Sequence, residues 1–345
     1  MSDVMSVPPP VPQRSSFWRR LLTAFLLLAL FGSVLANFVL LATVGLLFGD
    51  FDEYVREKTL SGEITAPAKI AVISIDGVLL DDEGFIKRQI DKARKDRSVK
   101  AVVLRVDSPG GSIAASDSVY HQLRKLTEER KLPLVVSMGA VAASGGYYVA
   151  MAVGGQSDSI VAEPSTWTGS IGVIIPHYNF AELLDKVGVK EDSVASHPLK
   201  QIGTLTRPMT EQERKIFQGL VEDGFAQFKQ VIRQGRPKFQ KDPAALDRLA
   251  TGQIYTAAQA KQDGLVDRIG FLDDALQRAA ELAHVKLDEV RVVRYRRESD
   301  WLGALLQSHS APRGLDLAAL LDSSVPRPYY LFTALPPLAG TRSPR

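Results

Sequence analysis

At 345 residues, 45% hydrophobic and 23% charged, the chain has room for one large domain with appendages or for two smaller ones, and its composition excludes a wholly disordered protein. Its 42 basic and 39 acidic residues leave a net charge of +3, too balanced to indicate a nucleic-acid binder on charge alone. Zero cysteines exclude a cysteine nucleophile, a thiolate metal site and a disulfide scaffold, and five histidines without an H-E-x-x-H pattern argue against a zinc peptidase.

Residues 1–20, with Pro8, Pro9, Pro10 and Pro12, read as an N-terminal tail. Residues 21–48 follow as a run of 28 without a charge. As a helix they extend roughly 42 Å, more than the ~30 Å of a bilayer hydrocarbon core, so a transmembrane helix is expected. Arg14, Arg19 and Arg20 precede it, and Asp50, Asp52 and Glu53 follow. The positive-inside rule then puts the N-terminus in the cytoplasm and the rest outside it, single-pass in the cell (inner) membrane. Val34 and Ala36 loosely fit a signal-peptide cleavage pattern. The apolar stretch runs well past them, however, which favours an uncleaved anchor. Residues 49–65 read as a linker.

From Ala66 onward strand and helix patterns alternate. Lys69–Ile75 is a β-branched run ended at Gly77, and Glu83–Lys95 has helical spacing. Ala101–Val106 is a nearly continuous apolar strand, as in a parallel sheet covered on both faces. Ser112–Glu129 reads as a helix, Leu134–Ser137 as a strand, Gly145–Val153 as a helix. Ile160–Ala162 and Ile171–Ile175 read as short strands, and Asn179–Val187 as a helix. Thr210 and Glu213 form a capping box for a long helix whose apolar face is Ile216, Phe217, Leu220, Val221, Phe225, Phe228, Val231 and Ile232. Thr256–Gln262 is a helix stopped by Gly264, Phe271–Ala283 another helix, and Glu289–Arg297 a terminal strand. Four arginines in that strand suit either a solvated sheet edge or anionic lipid headgroups. Residues 299–345 form a Pro-rich tail, with a short helix at Leu315–Leu321 and a segment, Arg327–Phe332, that packs on the body or on a neighbour. Alternation of this kind indicates an α/β fold with a mainly parallel sheet.

Two glycine-rich turns each join a strand to a helix: Asp107-Ser108-Pro109-Gly110-Gly111-Ser112, and Ala142-Ala143-Ser144-Gly145-Gly146-Tyr147-Tyr148. Either alone is most simply a tight turn with free N–H groups at a helix start, and neither matches a P-loop or dinucleotide fingerprint. Together they can form an acyl-transfer site, with Ser144 as nucleophile and the amides of Gly145 and of Gly110 or Gly111 as an oxyanion hole. The residue two before Ser144 is Ala142, so this is not the G-x-S-x-G elbow of α/β-hydrolases.

These turns, with T-G-S-I-G-V at Thr168–Val173 and Y-T-A-A-Q-A…G-L-V-D from Tyr255 to Asp267, resemble the signal peptide peptidase A (protease IV) family over roughly residues 66–295. The single copy of the module resembles the family's short form. The resemblance implies a crotonase/Clp-protease-like fold, with parallel sheet layers and flanking helices, for a peptidase domain at 66–298. It implies a Ser–Lys dyad of Ser144 and the general base Lys200, in S-H-P-L-K, with Ser170 as a third serine beside the lysine. It further implies no cofactor and no metal, peptide substrates such as remnant signal peptides or misfolded membrane proteins, and a homo-oligomer whose subunits share active sites. Nucleic acid is not an expected partner.

A lysine base must be neutral. Moving its ordinary pKa of about 10.4 to 7–8 disfavours its charge by about 4 kcal/mol, which takes burial or nearby positive charge. Read without the motif, Lys200 is a solvated surface lysine. Lys190 is the nearest upstream competitor, and His197, with Asp107, Asp185 or Asp192, is the competing base of a Ser–His–Asp arrangement. His121, Tyr147 and Tyr148 read as surface or packing residues. Two other functions compete with the peptidase: an acyl-CoA enzyme of the crotonase fold, which needs an acidic group near the oxyanion hole, and a non-catalytic membrane scaffold.

Overall fold

A computed structural model of the chain describes residues 16–48, 55–81, 84–297 and 329–331. It divides into two units, Met1–Asp52 and Glu53–Arg345. The first holds α1 (Ser16–Phe48), a 33-residue helix that starts upstream of the uncharged run and takes in Arg19 and Arg20. Its apolar stretch, Phe17–Leu41, is exposed along its 25 residues and reaches about 37 Å, long enough to cross a bilayer core. Thr23, Asn37 and Thr43 donate to carbonyls four residues earlier, so these polar side chains are satisfied inside the helix.

The second unit runs through β1 (Val55–Ser61), β2 (Lys69–Asp76), α2 (Phe85–Lys95), β3 (Val99–Ser108), β4 (Gly110–Ser112), α3 (Ile113–Arg130), β5 (Leu134–Ala143), α4 (Gly145–Ala150), β6 (Ile160–Ala162) and β7 (Trp167–Gly169). It continues with α5 (Ala181–Lys186), α6 (Glu211–Gly235), α7 (Lys238–Lys241), α8 (Pro243–Leu249), β8 (Ile254–Thr256), α9 (Ala257–Asp263), β9 (Arg268–Ile269), α10 (Leu272–Leu282), β10 (Arg291–Arg297) and β11 (Tyr329–Leu331). The main sheet has the order β1-β10-β2-β3-β5-β6-β9, with β7 beside the second half of β5 and β8 beside β7. Its pairings are parallel except β1 with β10 and β7 with β8. β4 and β11 form a separate antiparallel pair.

This is the α/β architecture expected from the alternating pattern, and its strands are apolar for the reason expected: both faces are covered. On β2, Ala71, Ile73 and Ile75 join a cluster with Leu123, Tyr147, Tyr148, Phe228 and Ile232 from α3, α4 and α6. Ile70 and Val72 point the other way, onto Ala275, Leu276, Ala279 and Ala280 of α10. The capping box at Thr210 and Glu213 and the stop at Gly264 form as read, Gly264 with φ 73°.

Four local readings change. Glu289–Arg297 is not an edge: β10 lies between β2 and β1, with Val292, Val293 and Tyr295 buried. The strand outside it, β1, falls within the 49–65 stretch. Its sequence VREKTLS alternates too weakly to read as a strand, and it exists because β10 offers backbone groups to pair with. The Ile171–Ile175 strand is displaced to Trp167–Gly169, because Gly169 (φ 80°) and Ser170 (φ 49°) turn the chain, leaving only a bridge at Ile174. On α6 only the second half of the apolar face is covered. Phe228, Val231 and Ile232 are buried, but Ile216 is 39% and Leu220 51% exposed. Leu315–Leu321 lies outside the described residues.

Candidate active site

β5 ends in a turn that only a supported backbone can hold. Ser144 has φ 54° and ψ −116°, a left-handed conformation costing a β-carbon-bearing residue about 1–3 kcal/mol. Its neighbours fix it. Its N–H donates to the Gly169 carbonyl at 2.8 Å, and its own carbonyl accepts from the Tyr148 amide at 2.8 Å. β7 is zipped to β5 by the pairs Val141↔Trp167, Ala142↔Thr168 and Ala143↔Gly169, and the Thr168 hydroxyl donates to the Ala142 carbonyl at 2.6 Å. This register makes Ser144 and Ser170 equivalent, each one residue past the end of its strand and each with positive φ. Both are buried. The Ser144 hydroxyl is 1% exposed at the residue level and has no hydrogen-bond partner among the described residues.

The two glycine turns meet beside it. A β-carbon on Gly145 would stand 2.4 Å from Ser116 Oγ and 3.1 Å from both Gly110 Cα and the Gly111 amide nitrogen. Gly145 opens α4, so its amide has no acceptor within the helix. Gly110 has φ +99°, and its amide donates to Ser108 Oγ at 3.1 Å. Of the two amides left open by the sequence, Gly111's is therefore the one without that engagement and the one set close to Gly145.

Several residues support the site through contacts that the sequence did not indicate. Asp107 Oδ1 accepts the Val141 amide at 3.1 Å, tying the first turn to the strand that delivers Ser144. Arg105 bridges Glu163 at 2.7 Å and donates to Ser137 at 2.9 Å, bracing the ends of β3, β5 and β6. Asp107 and Ser108 stand in the D-S-P-G-G motif, which was the available signal. Tyr147 donates to the Leu265 carbonyl, and Tyr148 to Asp117 at 2.5 Å. Burial pushes both phenols well above their ordinary range, which keeps them protonated as the donors of these hydrogen bonds.

The lysine segment is built differently. Lys200 is exposed on a 3-10 turn, Pro198–Gln201, and no hydrogen bond joins it to Ser144 within the described residues. Lys190 is exposed too, on an open cleft of about 490 Å³ shared with Asp185, Glu191, Gln201 and Arg207. His197 Nδ1 accepts the Leu199 amide at 3.1 Å, so that nitrogen is not donating to a carboxylate as a triad histidine does. The segment is pinned where it enters α6: Arg207 forks onto Glu213 at 2.7 and 2.9 Å, and Glu213 also accepts the Thr210 amide at 2.8 Å. The Arg207 guanidinium, with the Thr210 donors, holds the Glu213 carboxyl down at about 2.

A buried serine on a strained strand-to-helix turn, with glycine amides beside it, is the constellation of the serine-nucleophile class of acyl-transfer enzymes. The comparisons with known proteins agree on this class, and the chain belongs to peptidase family S49. The model of that family matches residues 127–286, a range that includes Ser144, Ser170 and Lys200. A putative signal peptide peptidase SppA of Enterococcus faecium is 32% identical over 305 residues, 81% of this chain and 86% of that one. Protease 4 of Haemophilus influenzae is 36% identical over 248 residues, 69% of this chain and 39% of its own length. The chain thus spans about two fifths of Protease 4. A probable protease SohB of the same organism is 34% identical over 200 residues, 58% of this chain and 52% of that one. Membership of a peptidase family favours the peptidase reading over the acyl-CoA and scaffold readings.

Proposed function

We propose that the protein is a membrane-anchored endopeptidase that degrades cleaved signal peptides through an acyl-enzyme, with Ser144 as nucleophile and Lys200 as general base. The observation that carries this is the Ser144 hydroxyl itself: buried, without a partner among the described residues, and held at φ 54° beside the amides of Gly145 and Gly111. A backbone kept in so costly a conformation serves to aim that side chain. In the reaction Lys200 accepts the serine proton, Ser144 Oγ adds to the peptide carbonyl, and the glycine amides stabilise the oxyanion. Lys200 then protonates the leaving amine and activates the water that frees the enzyme. Ser170 positions the lysine amine.

Lys200 is exposed in the single chain, whereas a neutral lysine needs burial. That difference supports assembly, with the lysine of one subunit brought to the serine of the next. Exposed apolar side chains on the segment that carries Lys200 and on the helix that follows, among them Ile174, Phe180, Leu183, Val187, Ile216 and Leu220, are the kind of surface that subunit contact covers. The exposed, apolar stretch of α1 supports a single-pass anchor in the cell membrane, and the arginines at its N-terminal end with the acids after it support an extracytoplasmic peptidase unit. Hydrolysis of synthetic signal peptides by the detergent-solubilised protein, with labelling of Ser144 by a phosphonylating probe, tests the reading. Hydrolysis that survives Ser144→Ala sinks it.

A further inference from the structure

The outer ribbon of the main sheet, β1 with β10, carries its charges unevenly. Their antiparallel register sets Arg56 opposite Arg296 and Lys58 opposite Arg294. Residues two apart on a strand share a face, so these four basic groups stand together on one side of the ribbon. Like charges directly opposite each other destabilise a strand pair. The other face is arranged the opposite way. There Glu57, the acid of β1, accepts from Lys69 at 2.9 Å and pairs with Arg291 at 3.5 Å, and Lys69 also reaches Asp96 at 2.7 Å.

The basic face is open. The α10 cluster covers Val290 and Val292, but Arg56, Lys58 and Arg296, further along the ribbon, are exposed. No ion pair joins Lys58, Arg294 or Arg296 to an acid among the described residues. Arg294 is half-buried, and its covered Nε has no hydrogen-bond partner among the described residues. Burial lowers its guanidinium below the ordinary value; Asp76 opposes that shift, and Arg105 and Arg296 add to it. A flat strand ribbon with unneutralised charge and an unmet donor on one face is complementary to a flat array of anions. β1 is also the first strand after α1, Val55 following Phe48 by seven residues. On the anchoring proposed above, the array that the chain meets first after its anchor is the headgroup layer of the bilayer.

We propose that Arg56, Lys58, Arg294 and Arg296 form a docking face for anionic phospholipid headgroups, which holds the peptidase unit against the bilayer. The inference rests on the anchor and is independent of the catalytic assignments. Headgroup phosphates supply the acceptors that Lys58, Arg294 and Arg296 lack, and they turn the repulsion of the like-charge register into attraction. Salt screens an attraction of this kind.

The chain has no cysteine, so Leu60→Cys, at an exposed position two residues beyond Lys58, takes a single fluorophore. The labelled full chain is reconstituted into bilayers of phosphatidylcholine alone or with about 30% phosphatidylglycerol, each carrying a headgroup-attached quencher. Quenching is expected to be at least about 3-fold greater on the anionic bilayer, and that excess to fall by more than about half between roughly 0.05 and 0.5 M salt. Lys58→Glu combined with Arg296→Glu puts an acid opposite Arg294 and another opposite Arg56. The pair of changes is expected to bring quenching down to the phosphatidylcholine level while the melting temperature holds or rises. Equal quenching on the two bilayers overturns the inference and leaves the anchor standing if the protein floats with both. An excess that ignores salt, or that survives the charge reversal, also overturns it. A charge-reversed protein that melts lower shows that the basic face serves the fold, and overturns it as well. Protein that floats with neither bilayer removes the anchor and the docking face together.

Discussion

Ser144 and Lys200 occupy opposite settings in one chain. Ser144 sits between two strands and a helix, 1% exposed, with its backbone bonded on both sides. Residues 172–202, which carry Lys200, include no buried residue, and their one α-helix, Ala181–Lys186, is six residues long. The contrast follows from the cost of each group. A hydroxyl and two amides can be prearranged in a core at modest cost, and prearrangement is what makes an oxyanion site effective. A lysine stored in the same core would be charged and unpaired, costing several kcal/mol. On the proposed reading the fold keeps the nucleophile ready and leaves the base outside until another surface desolvates it.

The largest expected effect belongs to the core side. Ser144→Ala should lower kcat at least about 10⁴-fold in a peptide assay, with the melting temperature nearly unchanged. Lys200→Ala should cost about 10²–10⁴-fold, the range of a lost general base, while Lys190→Ala stays within about 2-fold. Mixing the inactive Ser144→Ala and Lys200→Ala proteins under conditions of subunit exchange should restore activity. A mixture that stays inactive would place both groups in one subunit and end the comparison as drawn. Gly145→Ala should cost roughly 10²-fold in kcat, because its new methyl meets Ser116 Oγ at 2.4 Å and crowds the Gly111 amide.

The two smaller effects are on stability. Glu213 has a folded-state pKa of about 2, below the ordinary 4.5, so its contribution is present above about pH 4.5 and fades as pH falls toward 2. Glu213→Gln should therefore destabilise by about 2 kcal/mol at pH 7 in urea titration, and the gap to wild type should close in acid. A gap that widens in acid would reverse the assignment. Ser144→Gly, relieving φ 54°, should stabilise by about 1 kcal/mol while destroying activity. A loss of stability would show that Ser144 is not strained by its place in the site.

Much of the fold is legible residue by residue. Ala101–Val106 is apolar throughout because both sheet faces are covered, and Thr210 with Glu213 marks a helix start because the two side chains satisfy each other's amides. The glycine turns are legible for the same local reason. Their partners are not. Nothing in VREKTLS announces a strand, since β1 forms on backbone groups supplied from more than 200 positions away, as Val55↔Arg297 shows. Ile216 and Leu220 look like core because helical spacing reports a face, and spacing does not report whether anything covers it.

The sequence by itself determined the apolar N-terminal helix, the alternation that makes a parallel sheet, and the two glycine turns with Ser144 between them, because each depends on side chains within a few residues. Only the tertiary structure decided that Ala143 pairs with Gly169 and so brings Ser170 level with Ser144, that Gly111 lies against Gly145, and that Tyr330 seats between Tyr148 and Phe228. Those are registers between distant strands. Register is set by the hydrogen-bond ladder and the shape of the whole core, and no local spacing encodes it.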